Sequence, residues 1–232
     1  MLKLISMNDS FETQIKELIL QKNYPCVAAI AALARKDYKL HSYQSFGSGT
    51  SSEILAKDLI GFRDEYVKTK SSYLSFFAIF ENSLELEMDE NEFEARMWKE
   101  LSYLTSIDGL SHQWDPNFSE DPQDKNFCFS LDETAFFVVG LHPKSSRKSR
   151  QFPVPALVFN VYDQFRELQK RGLYEPMVQT NRKRDTAFQG DANPMAVLHG
   201  DHWESIQFSG KSNSENWKCP FHHGLKPEKT SS

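Results

Sequence analysis

The sequence predicts an α+β fold, a single compact domain in which helices surround a mainly antiparallel sheet. Residues 73–80 (YLSFFAIF), 135–139 (AFFVV) and 155–160 (PALVFN) are short apolar runs, the pattern of buried strands. Residues 11–21, 92–107 and 161–171 repeat apolar side chains at three-and-four spacing, the pattern of amphipathic helices. The two kinds of segment are interspersed without a βαβ repeat, which favours an antiparallel sheet over a doubly wound parallel one.

Composition sets the bounds. With 232 residues, 39% hydrophobic and 13% aromatic, the chain can fill the core of one domain, expected over about residues 24–221 with a flexible tail at 222–232. A formal net charge of −5 argues against a nucleic-acid partner, although 147–150 and 182–184 are local basic clusters. No apolar run has the length of a membrane span, and MLKLISMNDS lacks the apolar stretch of a signal peptide. A soluble, cytoplasmic protein with no membrane partner is expected. Its three widely spaced cysteines read as free thiols.

Taken in order, the first helix (11–21) carries Ile15, Leu18 and Ile19 on one face. Tyr24-Pro25-Cys26 opens a second, 27–35, with proline at its start. Ala28, Ala29, Ala31, Ala32 and Ala34 give this helix a surface of methyl groups against which something flat or bulky could lie. Cys26 falls at its N-terminus, where the helix dipole favours thiolate. The same residues serve equally as an alanine-rich packing helix with a buried cysteine. Gly47-Ser48-Gly49-Thr50 lacks the lysine of a nucleotide-binding loop, so Thr50-Ser51-Ser52-Glu53 reads as a capping box for a helix to about Lys70. After an acidic stretch, the helix at 92–107 carries a core stripe of Phe93, Met97, Trp98, Leu101 and Leu104. Residues 115–126 are polar loop, and 127–141 have the form of a hairpin turning at Asp132-Glu133-Thr134. Cys128, between two phenylalanines, reads as inert core.

The hairpin's second strand runs into Gly140-Leu141-His142-Pro143 and so delivers a histidine to its own end. Ser145, Ser146, Arg147 and Arg150 follow, with donors of the kind that hold carboxylates or phosphates. The helix at 161–171 stops at Gly172, 177–188 reads as another carrying Arg182, Arg184 and Asp185, and 189–194 is turn chemistry. His199, Asp201, His202, Cys219, His222 and His223 crowd the last quarter, but without the paired spacing of a zinc site. Cys219, between Trp217 and Phe221, suits a sheltered soft ligand or an anchor for the C-terminus.

The motifs YPCVAAIAAL, GLHPKSSRKSRQFPVPALVFNVYDQFRELQKRGLYEPM, RKRDTAFQGDANPM, QFSGK and NWKCPF occur in that order. Together they make the chain resemble the YqcI/YcgG family over about residues 24–221. The resemblance implies a heme-dependent N-oxygenase of specialised metabolism. Such an enzyme uses dioxygen and an external electron donor to hydroxylate a nitrogen of arginine or a related guanidine- or amine-bearing amino acid. With no CxxCH motif the heme b would be held non-covalently. It needs one strong axial ligand, for which three residues remain open. Cys26 has the helix N-terminus and the alanine face, Cys219 the aromatic shelter, and His142 the rigid strand end beside Arg147 and Arg150. Those two arginines are the expected propionate partners. Asp185, Asp191 and Asn193 are the expected acceptors for a cationic substrate. Two other classes compete: a non-catalytic heme-binding sensor or carrier, and a metal hydrolase or non-heme oxygenase built on His199, His202 and nearby carboxylates.

Overall fold

The computed structural model describes residues 7–82, 87–107, 113–191, 193, 204–214 and 216–225. His199, Asp201 and His202 lie outside the described residues. Five strands make one sheet: β1 (Tyr38–Tyr43), β2 (Ser75–Phe80), β3 (Ser130–Leu131), β4 (Thr134–Leu141) and β5 (Ala156–Val161). Their order is β1-β2-β5-β4-β3. β1 and β2 are parallel, and the other three pairings are antiparallel. The fold is therefore α+β with a mostly antiparallel sheet, as the apolar runs predict.

Strand alternation divides the core in two. Phe76, Ala78, Phe80, Phe136, Val138, Leu157 and Phe159 face α3 (Ser52–Thr69) and α4 (Glu90–Leu104), whose Leu59, Phe93, Met97, Trp98 and Leu101 complete the larger cluster. Phe77, Ile79, Leu141, Ala156 and Val158 face the other way, toward α1 (Met7–Ile19) and α2 (Val27–Arg35). β2 is buried along its whole length because it has helices on both faces and neighbours on both edges. Helices α5 (Asp163–Lys170) and α6 (Tyr174–Gln189) follow β5, separated near Gly172, whose φ of +65° suits the turn.

The structure corrects the sequence reading in several places. Strand β1 has no apolar run to announce it, since its residues alternate between partly exposed and exposed until the buried Tyr43 at its end. The hairpin's first strand is only Ser130–Leu131, because Asp132 and Glu133 turn the chain with φ of +50° and +59°. No capping box starts α3: Ser51 has helical backbone and makes no side-chain cap. Instead the buried carboxylate of Glu100 accepts hydrogen bonds from Gly47 N at 2.9 Å and Ser52 Oγ at 2.6 Å, tying that loop to α4. Helix α4 starts at Glu90, two residues before the predicted start at 92, where Asp89 accepts from the amides of Asn91 and Glu92. In the C-terminal segment, His222 N donates to Ser102 Oγ at 3.0 Å, and the His223 ring lies 2.7 Å from the Glu120 carbonyl oxygen.

Candidate functional site

A cavity of about 270 Å³ separates the smaller-core face of the sheet from α2 and α6. Phe77, Phe137, Val139, Val158 and Asn160 form its floor. From α2, Ala28, Ala29 and Ala32 border it, and the space exists because these side chains are short. Ala31 and Ala34 do not border it. From α6, Tyr174, Met177, Val178, Asn181, Arg182 and Asp185 project inward at three-and-four spacing.

Cys26 is the N-cap of α2 and belongs to the cavity wall. Its Sγ accepts from Ala29 N at 3.4 Å, while Asn181 Oδ1 accepts from Val27 N at 3.0 Å. The helix N-terminus acts as expected, but it does not win. Burial pushes the Cys26 thiol up, and the amides of Ala29 and Ala28 and the charge of Arg150 only oppose that rise. Without a ligand the residue is a thiol, which corrects the thiolate expectation.

Arg150 also borders the cavity. Its guanidinium donates to the carbonyls of Gly140 at 3.1 Å, Phe208 at 3.2 Å and Gln207 at 3.3 Å. Burial lowers its pKa from the ordinary arginine value. Among the described residues no carboxylate lies within ion-pair distance of it. A buried guanidinium bonded to neutral carbonyls is suited to an anionic group of a ligand.

Arg147 is placed differently. Its Nη2 donates to Asp185 Oδ2 at 2.6 Å and its Nη1 to Asp191 Oδ1 at 2.5 Å, while Asn193 N donates to Asp185 Oδ2 at 2.8 Å. The sequence assigned Arg147 to a ligand's carboxylates, and Asp185, Asp191 and Asn193 to a ligand's cation. The fold brings these four together, and the arginine takes the acids. Asp185 and Asn193 still border the cavity, whereas Arg147 and Asp191 do not.

His142 and Cys219 lie elsewhere. Leu141 faces the cavity, so the next residue faces away: His142 is 1% exposed and stacks on Phe93 of α4 with centroids 4.3 Å apart. Neither ring nitrogen has a hydrogen-bond partner among the described residues, and burial pushes its pKa down to about 4. Cys219 sits in the larger core with Trp217 and Phe221, and burial pushes its thiol up to about 12. Cys128 is buried core, its thiol donating to the Phe136 carbonyl at 3.4 Å. Of the three candidate axial ligands, the fold puts Cys26 alone in the cavity wall.

Sequence reasoning missed the cavity's polar end. Glu204 opens a 3-10 turn, Glu204–Gln207, and its Oε2 accepts the hydroxyl proton of Tyr162 at 2.6 Å. Both border the cavity, as do Asn160, Gln164 and Gln207. Nothing in the sequence around Glu204 marks it, because the residues it meets are distant along the chain.

Among the described residues, no helix is long and apolar enough to cross a membrane, and no group of three or more histidine, cysteine or acidic residues is disposed to hold a metal ion. Fold and site together define an α+β protein with a chamber between helix and sheet that presents a thiol, a guanidinium and a carboxylate. The chain belongs to the YqcI/YcgG family, whose sequence pattern matches residues 11–222. No curated protein and no solved structure matches it.

Proposed function

We propose that the protein is a heme-dependent monooxygenase that hydroxylates a nitrogen of a guanidine- or amine-bearing amino acid, with Cys26 as the axial ligand. One observation carries the reading. The candidate ligand in the cavity wall is also the one with an alanine face and a buried guanidinium around the same space. The residues fit the group: heme b is flat and apolar with two carboxylates and needs one strong ligand. Ala28, Ala29 and Ala32 offer a surface without protruding side chains, Arg150 offers donors to a propionate, and Cys26 offers sulfur.

A thiol raised by burial gives up its proton when it coordinates a metal ion, so the resting protonation of Cys26 does not oppose ligation. When bound, the heme would supply dioxygen activation, with an axial thiolate favouring O–O cleavage. The chain's own part is to exclude water with Phe77, Phe137, Val139 and Val158, to orient the cofactor through Arg150, and to hold the substrate at the polar end. Ligand sites run from about 300 to 1,000 Å³, so this cavity is small for its task. Helix α6, with Asp185 as its buried residue, is the wall best able to move outward. The partners are then the amino-acid substrate, dioxygen and an external electron donor. Three free thiols suit the reducing cytoplasm.

The deciding experiment is the absorption spectrum of the heme-reconstituted protein, reduced and carbon-monoxide-bound, for wild type and for Cys26→Ala, His142→Ala and Cys219→Ala. A strongly red-shifted Soret band lost only in Cys26→Ala is expected. A globin-like band lost with His142 would move the ligand to the other side of the sheet. Folded wild type that takes up no heme would end the reading. Reductant-dependent oxygen consumption with arginine separates an oxygenase from a sensor or carrier that merely holds heme.

A further inference from the structure

Carboxamides border the cavity from several elements, and Gln164, 3% exposed on the first turn of α5, is the most deeply buried of them. Its Nε2 donates to the Leu74 carbonyl at 2.8 Å. A carbonyl oxygen only accepts, so this bond fixes which way the amide is turned and leaves Oε1 as the open end. Among the described residues Oε1 has no hydrogen-bond partner. Asn160 and Asn181 are placed differently. Asn160 accepts from Ser75 Oγ at 2.8 Å and donates to the Phe137 carbonyl at 3.4 Å, and Asn181 turns its oxygen to Val27 N.

A neutral acceptor held in one direction beside a largely aliphatic and aromatic floor calls for a donor from whatever fills the space. The register of the sheet sets it apart from Arg150. Arg150 donates to the carbonyl of Gly140, opposite Leu157 on β5, whereas the Leu74 carbonyl that holds Gln164 adjoins Ser75, opposite Asn160. Those levels are three residues apart along β5, about 10 Å. An anionic group bonded to Arg150 therefore leaves Gln164 open to a second group further along the floor. The acids that the sequence assigned to a substrate nitrogen, Asp185 and Asp191, are taken by Arg147.

We propose that Gln164 is a specificity-determining residue whose Oε1 accepts an N–H of the substrate's amine or guanidine, while the Leu74 carbonyl holds the other end of the amide and so aims it. This rests on the preceding reading only in taking an amino acid with a terminal nitrogen donor as the substrate; it does not require heme to be bound.

The test is isothermal titration of L-arginine and of L-norleucine, which has the same amino-acid head and no terminal N–H, into protein with and without hemin. Wild type, Gln164→Met and Gln164→Glu are compared, and a thermal melt of each variant confirms the fold. Methionine and an ionised glutamate both lose the donor to Leu74, but only glutamate keeps an acceptor. Wild type is expected to prefer arginine by about tenfold or more, and Gln164→Met to bring the two ligands within about twofold of each other by weakening arginine. Gln164→Glu should retain or enlarge the preference, because its carboxylate accepts more strongly from a charged donor. Wild type that binds arginine in neither form, or Gln164→Met that keeps the preference, overturns the inference. Equal loss of preference in both variants overturns it too, since Gln164 would then serve only to anchor α5. A Gln164-dependent preference in a protein that takes up no heme would uphold it while the heme reading failed. Heme uptake with no role for Gln164 would do the reverse.

Discussion

His142 shows how a single residue is decided by parity along a strand. The sequence places it correctly at the end of β4, but because Leu141 lines the cavity, the histidine is turned into the opposite core against Phe93. Its ring nitrogens have no partner among the described residues, and burial holds its pKa at about 4, below the ordinary 6.5. The folded state therefore binds fewer protons at this site than the unfolded state between those values. Stability rises with pH across that window and levels off above it. His142→Phe keeps the stacking and removes the titration. Denaturation from pH 7.5 down to 4 should give curves that run together above about pH 7, with wild type falling away from the variant below about 6.5. Parallel profiles at all pH values would mean that the protonated ring finds an acceptor that offsets its burial. Cys26 teaches a related lesson. Its place at a helix N-terminus was legible, but the burial that outweighs the dipole arises from packing of elements distant in sequence.

Among the elements, α6 depends most on polar contacts. Asp185 is its buried residue, and the helix is fastened by Asn181 to Val27 N, by Arg184 to the Tyr24 carbonyl and by Asp185 to Arg147. The helix itself was readable from the sequence. Its latch was not, because Arg147 and Asp185 are 38 residues apart and a lone sequence does not reveal that two opposite charges meet. With side chains only 9% and 10% exposed, the pair should be costly to break from one side. Arg147→Ala should destabilise the protein by about 3 kcal/mol in urea unfolding, since it leaves a buried carboxylate without its counter-charge. Replacing both, as Arg147→Met with Asp185→Leu, should cost clearly less than the sum of the single changes. Hydrogen exchange should quicken along α6 in Arg147→Ala more than in the sheet. Uniform quickening would show that the latch supports the whole fold and not this wall of the cavity.

Over the whole molecule, the three buried strands and most helices were legible because burial writes itself into apolar runs and helical stripes. Edge strand β1 was not, since exposure on one side leaves its pattern weak and its parallel partner is far along the chain. Nor was the C-terminal strap, which carries much of the long-range organisation. Above β3, the outer edge of β4 receives this segment: Gly140 N donates to the Phe208 carbonyl at 2.7 Å, and Phe208 stacks on Trp98 of α4 at 5.6 Å. Glycine is needed at 140, because a Cβ there would lie 2.6 Å from the Phe93 ring. On the large-core side, Glu94 clamps the strap by accepting from Ser209 Oγ, Lys211 Nζ and Asn213 Nδ2. On the cavity side, the same segment supplies Glu204 and the Gln207 carbonyl that bonds Arg150. One piece of chain thus joins a buried carboxylate on α4 to the cavity across the sheet. Glu94→Ala should cost about 2–3 kcal/mol by freeing the strap and losing charge-assisted bonds. It should also weaken arginine and heme binding, although Glu94 does not border the cavity. Leu101→Ala, in the same helix and core, should cost about as much stability through a void but leave the strap fastened. If both variants bind equally well at a temperature where both are folded, the strap is only packing. If Glu94→Ala alone loses binding, the clamp sets the position of the cavity's polar end.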